Sequence, residues 1–427
     1  MKFRMSKIAA AIAAATMASS AGAAVVLGGN DGWEVSMDGN VNLFYNHYNF
    51  DTSETTATGA AVAHPDNGTN GDSSHLQEGL LPAFFSTNIK SPTVNGLTGT
   101  ARISFAPDSS SDKHTFNDKG GTAIDMREVV ANVAGSFGTV SFGRTLGLFG
   151  RQAILHDQTL FGVGDPLAVD GGGTTLGRIG VGYVYPEFRT RFAYATPNIN
   201  GFKAEVGVFD PQELTGTTNF ETSIPKFEGE LSYATTFSNA GNFLIWAGGT
   251  WQTAKNTTNG EDVDSYGGEV GAEIGYMGFA LTGYYYGGKA LGIGLKNLGT
   301  PGPGGIILPN GVNCGVFVGT TNECREADND GFYVQGAYNF GQGTKVALSY
   351  GESNQDGETA NAGTTLVFND VNADMWTVGV YHDLTPWLKL VAEYNNVTKK
   401  ADNPVTGNLA SVKQDIDAFS VGAFMTW

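Results

Sequence analysis

Apolar and polar residues alternate with a period of two along most of this chain. Phe332, Val334, Gly336, Tyr338 and Phe340 interleave with Tyr333, Gln335, Ala337 and Asn339. Gly341-Gln342-Gly343 follows, and then Thr344, Val346, Leu348 and Tyr350 alternate with Lys345, Ala347 and Ser349. Such alternation puts one set of side chains on each face of a strand, and a glycine-bearing triplet between two runs is a tight turn. The unit is a hairpin with one apolar face and one small or polar face. It recurs. Val35, Met37, Val41, Leu43 and Tyr45 oppose Asp38, Asn40, Asn42 and Asn46, and Phe202, Ala204, Val206 and Val208 oppose Lys203 and Glu205. Val270, Ala272 and Ile274 oppose Glu269 and Glu273, while Leu388, Leu390, Ala392 and Tyr394 oppose Lys389 and Glu393. The chain ends on Phe419, Val421, Ala423, Met425 and Trp427.

The connections fall into two kinds. Residues 92–96, 197–201, 237–241, 341–343 and 385–386 are short, whereas 51–76, 108–124, 287–330, 351–371 and 398–413 are long and polar. Tight turns on one side of a sheet and long loops on the other are the layout of a transmembrane barrel. A soluble β-sandwich would bury the apolar face, but its domains run to about 100–250 residues and would force a linker into this chain. No Pro-rich, Ser-rich or charged stretch supplies one. A single sheet in lipid must close, because hydrocarbon offers an open edge no partner. The predicted fold is therefore all-β: a transmembrane antiparallel barrel of about 16 strands with one long loop folded into the lumen. Eighteen strands fit the length as well. Polar residues facing inward at this strand number imply a water-filled interior.

Composition narrows the reading further. The chain has 61 glycines in 427 residues, 15% charged residues and 11% aromatics, which excludes a disordered, charge-rich polymer. Residues 1–23 read as an export signal: Lys2, Arg4 and Lys7, an apolar run from Ile8 to Ala15, and small residues at Ala21-Gly22-Ala23. Removing them leaves 404 residues (24–427, one barrel domain) and takes the formal charge from −18 to −21. That balance excludes nucleic acid, which requires a basic footprint, and favours cations near an aqueous mouth. Export also makes a disulfide between Cys314 and Cys324 an expectation, as a loop staple that contributes about 3 kcal/mol at most.

One connection differs from the rest. From about 146 to 176 the alternation lapses, and Leu146, Leu148, Phe149, Ile154, Leu155, Leu160, Phe161, Val163 and Leu167 accumulate beside Arg151, Asp157, Asp165 and Asp170. Leaving that much apolar surface wet costs about 25 cal/mol per Å². The wall available to cover it is the inside of the barrel. The segment is expected to fold inward and narrow the pore, with a helical turn near 151–158.

Here the chain resembles a known family. Phe137-Gly-Thr-Val-Ser-Phe-Gly-Arg144 is similar to the stretch before the constriction loop of Gram-negative general porins, and Tyr194-Ala-Thr-Pro-Asn-Ile-Asn-Gly-Phe202 to the strand–turn–strand after it. Trp427 stands where those proteins usually carry a terminal Phe that serves as an assembly signal. The resemblance implies an outer-membrane barrel, commonly a homotrimer, set among outer-membrane lipid and lipopolysaccharide. It implies delivery by the barrel-assembly machinery through the last strand. It further implies an eyelet with basic wall residues facing acidic residues on the loop. Arg144 matches the basic wall position, although Val140, Phe142 and Arg144 share a face, so that either Gly143 marks a bulge or the two apolar residues point inward. Arg178 resembles a second wall arginine, and alternation adds Arg102, Arg189 and Arg191. Asp157, Asp165 and Asp170 are the candidate acidic side.

No catalytic constellation is evident. The six histidines, at 47, 64, 75, 114, 156 and 382, lack metal-ligand spacing. Asp328-Asn-Asp-Gly331 lacks the later bidentate Glu of a calcium loop, and Gly171-Gly-Gly173 is not followed by Lys-Ser/Thr. No enzyme, metal or cofactor is expected. The function indicated is passive diffusion of small hydrophilic solutes and ions, with cations preferred unless the arginines dominate locally. Two rivals stand beside it: a substrate-specific channel for organic anions or sugars, and a surface adhesin or structural barrel.

Overall fold

The computed structural model describes residues 24–56, 71–107, 124–166, 174–211, 220–238, 241–257, 260–292, 300–301, 307–308, 312–318, 321–356, 359–360, 365–366, 370–402 and 409–427. The expected export signal, 1–23, and the candidate Asp170 lie outside the described residues.

The wall is built from β1 (Glu34–Thr56), β2 in two pieces (Gly71–Gln77 and Phe84–Lys90), β3 (Thr98–Pro107), β4 (Ile124–Gly135), β5 (Gly138–Leu146), β6 (Phe188–Ala195), β7 (Phe202–Phe209) and β8 (Lys226–Phe237). It continues through β9 (Gly241–Asn256), β10 (Asp262–Tyr276), β11 (Phe279–Lys289), β12 (Asp328–Gly341), β13 (Thr344–Gln355), β14 (Asp370–Thr385), β15 (Leu388–Asp402) and β16 (Leu409–Thr426). Both pieces of β2 pair with β1, so they count as one strand interrupted at 78–83. Each strand runs antiparallel to the next, and β16 pairs with β1 from Asn40↔Thr426 to Thr56↔Leu409. The ring is closed at sixteen strands, which decides against eighteen. Short segments at Val25–Gly28 and Phe220–Glu221 extend the sheet beside β1 and β9.

Every connection from an even to an odd strand is short, as at 136–137, 277–278, 342–343 and 386–387, and the long ones all leave odd strands. The two ends of the barrel therefore differ: one of tight turns, one of loops. In the connection after β11, Val312–Val318 and Thr321–Glu326 form a small ribbon whose register sets Cys314 opposite Cys324.

Alternation becomes a division of solvents. Val41 and Leu43 on β1, Val206 on β7, Leu231 on β8, Leu281 on β11 and Leu348 on β13 all face out and are exposed. Their neighbours Asn42, Glu205, Glu230, Thr282 and Ser349 face in and are buried. Closure supplies every strand with two neighbours, so the wall has no open edge to desolvate. Trp427 completes the seam between β16 and β1. Its backbone exchanges hydrogen bonds with Gly39 at 3.1 Å in both directions, and its ring packs on Phe85 with centroids 5.1 Å apart. A Cβ at Gly39 would lie 2.7 Å from that ring.

The face of Arg144 corrects the sequence reading. Both ladders of β5 run through Gly143 without a register shift, although its φ is +119°. There is no bulge, and Val140 and Phe142 face out. Arg144 goes with them: it is exposed on the outer surface, where its Nε donates to the carbonyl of Met126 at 3.1 Å. Strict parity outranks the short motif here, and Arg144 is no part of the inner wall.

Candidate functional site

Between β5 and β6 the chain leaves the wall for residues 147–187, longer at its far end than the 146–176 expected. A helix α1 (Arg151–His156) and a single 3-10 turn (Gln158–Phe161) are its regular structure among the described residues. Wall carboxylates hold its backbone. Glu228 on β8 accepts from Leu148 N at 2.6 Å and Phe149 N at 3.2 Å, and Glu269 on β10 accepts from Gly150 N at 2.7 Å. Gln335 on β12 accepts from Gln158 N at 2.7 Å, and Glu393 on β15 accepts from Val163 N at 2.8 Å and Gly164 N at 3.0 Å. On its return the segment gives Gly182 N to Ser353 on β13 at 3.0 Å. A charged acceptor is worth about 1.5–3 kcal/mol per hydrogen bond. Gly162 lets Glu393 approach the segment, because a Cβ there would sit 1.7 Å from Glu393 Oε1 and displace that carboxylate.

The apolar residues of the segment bury one another and the inward-facing rings. Phe149, Ile154, Leu160, Val163, Leu176, Ile179 and Tyr183 join Leu80 and Leu81 from the break in β2, and Trp246, Tyr284, Tyr333 and Tyr381 from the wall, in one cluster. His156 stacks on Trp246 with centroids 5.3 Å apart. Fixed rings and a fixed backbone make the segment part of the interior rather than a loose loop.

The charged candidates are distributed as follows. Arg178 lies on the inserted segment itself, not on a wall strand, and has no exposed surface. It reaches the wall, donating to Met375 O at 3.0 Å, Thr377 Oγ1 at 3.1 Å and Ser349 Oγ. Asp157, also fully shielded, sits 3.8 Å from the Arg178 Nε and accepts from Thr159 N, Thr159 Oγ1 and Tyr183 Oη. Burial and then the Asp157 carboxylate push the Tyr183 hydroxyl well above its ordinary pKa. Asp165 pairs with Lys399 on β15 at 2.6 Å, with both side chains buried. Arg102 faces in and is matched by Asp38 and Glu128, each at 2.7 Å. Arg189 pairs with Glu187 at 3.1 Å, and Arg191 with Glu205 at 3.1 Å.

Arg102, Arg189 and Arg191 thus face the interior from strands, while Asp157 and Arg178 tie the segment to itself and to the wall. The sequence reading named Arg151 and several wall glutamates but gave them no role at the site. Arg151 opens α1 and joins Glu205 at 3.0 Å and Glu230 at 2.9 Å. Burial opposes its charge, but Glu230 and Glu205 outweigh that and hold the guanidinium pKa above its usual value. Alternation does mark these glutamates as inward-facing. Their partners are backbone N–H groups some 80 to 230 positions away, and no local pattern signals those. Beneath α1, towards the tight turns, lies a cavity of about 430 Å³ lined by Arg151, Gln152, Arg191, Lys203, Glu205 and Glu230 among others. Among the described residues no three His, Cys, Asp or Glu side chains group as metal ligands, and no helix is long and apolar enough to cross a membrane; the strands carry the outward apolar surface.

Comparison with known proteins agrees with this architecture. The family model for Gram-negative porins matches residues 9–402. No curated protein sequence matches. Among solved structures, the outer membrane channel DcaP of Acinetobacter baumannii superposes with a TM-score of 0.62 at 13% identity, covering 94% of this chain and 100% of its own. An anion-selective porin from Comamonas acidovorans gives 0.58 at 16% identity, covering 92% and 100%. OmpT of Vibrio cholerae, folded in vitro, gives 0.51 at 16% identity, covering 94% and 99%. At these identities the structures speak for the fold, and the family match for the kinship. A closed sixteen-strand ring, apolar outside and polar within, matched by that family model over nearly its whole length, places this chain in the Gram-negative porin family, as an outer-membrane channel for passive diffusion.

Proposed function

We propose that segment 147–187 is the constriction of this channel, and that solutes are sorted by size and charge where it narrows the lumen. The observation that carries the reading is its attachment to strands β8, β10, β12, β13 and β15 through buried acceptors. A segment so held keeps its position against diffusing solutes. Passage is down a gradient and needs no catalytic step or cofactor. The arginines that would favour anions are largely neutralised by Asp38, Glu128, Glu187 and Asp157. The strongly acidic balance of the chain then favours cations at the loop-side mouth.

The remaining assignments belong to this proposal. Residues 1–23 are removed on export, the barrel assembles as a homotrimer among lipopolysaccharide, and the last strand with Trp427 presents the chain to the assembly machinery. Cys314 and Cys324, opposite one another in register, form a bridge. Purified protein in planar bilayers tests the central reading. Discrete conductance steps are expected, with larger steps when the anchoring glutamates are replaced. Absence of conductance would favour the structural-barrel alternative instead.

A further inference from the structure

Segment 147–187 and the break in β2 are two inward excursions of the chain, and they are fastened to each other. Leu80 N donates to Gly162 O at 3.0 Å, Gln77 Nε2 to Pro166 O at 3.0 Å and Thr175 N to Glu78 O at 3.3 Å. Together with the acceptors on β8 to β15, these ties hold the segment around the barrel from β8 to β2. Where the two excursions face β4 and β6, a cavity of about 30 Å³ remains. It is lined by Leu80 and Leu81 from the break, Leu155 from α1, Leu160 from the 3-10 turn, Ile179 from the returning limb and Phe188 from β6, among others.

That lining is almost all hydrocarbon. Its two polar side chains, Arg127 and Tyr185, are already engaged: Arg127 Nη1 donates to Tyr185 Oη at 3.5 Å, Arg127 Nε lies 3.2 Å from Asp125, and the guanidinium sits 5.4 Å over the Phe188 ring. The space would hold about two water molecules, and each needs about two to four polar partners to stay. Helix α1 divides this cavity from the 430 Å³ one, with Ile154 and Leu155 lining the small apolar space and Arg151 and Gln152 the large polar one. Leu155 is the one side chain of the apolar lining that is only half-buried.

We propose that this cavity is a hydrophobic gate on the permeation path, with Leu155 and Leu81 among the side chains that set its barrier. It rests on the reading of the segment as the constriction and adds hydration to size and charge as a property on which solutes are sorted. Apolar constrictions restrain ions by dewetting, because a charge entering hydrocarbon gives up its water with nothing in exchange. The solutes favoured are small ones that hold water weakly: the larger alkali cations, and uncharged organic molecules with an apolar body.

Conductance of the full-length protein in planar bilayers tests the gate with an isosteric pair of variants. Leu155→Thr and Leu155→Val give side chains of the same shape, so they widen the cavity alike, but only the threonine offers water a hydroxyl. In KCl, Leu155→Thr is expected to carry about five times the single-channel current of Leu155→Val, the effect of one hydrogen-bonding group gained by the permeating water or ion. The gain should be larger in LiCl than in CsCl, because Li⁺ holds its water more tightly. Leu81→Thr and Leu81→Val repeat the comparison from the break in β2 if a Leu155 variant fails to fold. Equal currents through the threonine and valine variants would overturn the gate and leave a channel limited by size alone. Silence of the unaltered protein and of every variant would remove the porin reading beneath it.

Discussion

Arg178 shows how little a residue's chemistry says about its place. Its guanidinium is shielded from solvent, bonded to a carbonyl and a hydroxyl of β14 and to a hydroxyl of β13, with Asp157 alongside. Removing one partner of a buried pair costs about 3–5 kcal/mol, because the survivor is left charged and unmatched. Arg178→Leu should therefore loosen the inserted segment, seen as frequent brief closures in single-channel records and a lower temperature of loss of the folded band on electrophoresis. Tyr183 supplies a pH dependence. Its folded pKa lies above the ordinary value, so the unfolded side chain loses its proton first. The stability it contributes is complete below pH about 10 and declines as pH rises further. Current noise should grow above that pH, and Tyr183→Phe should remove this alkaline component. Onset near neutrality instead would implicate another group. The inward faces of Arg102, Arg189 and Arg191 were legible from alternation alone. Alternation also put Arg144 on the face of Val140 and Phe142, and the short family-like run pointed the other way; parity prevailed.

At the scale of elements, the inserted segment is held by glutamates that belong to other elements. Glu393 accepts from two backbone N–H groups of the segment and from the Tyr381 hydroxyl at 2.6 Å. Glu393→Ala would orphan all three donors at about 1–3 kcal/mol each. The expected result is a barrel that still inserts but conducts more, with unsteady steps; an unchanged, quiet conductance would show that this anchor is dispensable. The ribbon carrying Cys314 and Cys324 is a separate test: alkylation without reductant should leave both thiols unmodified, with two added groups appearing after reduction. Most strands, and the helical turn near 151–158, were visible as local pattern. The break in β2 was not. It becomes intelligible once Leu80 and Leu81 are seen covering the inserted segment's apolar residues.

For the whole molecule the decisive event is closure between the first and last strands. Gly39 and Trp427 meet there, and a Cβ at Gly39 would also approach the Phe84 carbonyl to 2.5 Å. Gly39→Leu should destabilise the closed barrel by about 1–3 kcal/mol, the usual cost of overpacking. It should lower the yield of heat-modifiable folded protein; a normal yield would show that the seam adapts. The chain's own order of residues determined the class of fold, the inward and outward faces and the two unlike ends, because strand periodicity and turn composition are local and repeat along the chain. It also marked the segment after β5 as out of place, since its greasy side chains had to be covered by something. Tertiary structure alone decided what covers them and which acid meets which base. It placed Arg178 with the loop and set Arg191 against Glu205, because those outcomes depend on contacts between strands far apart in sequence that exist only after the ring has shut.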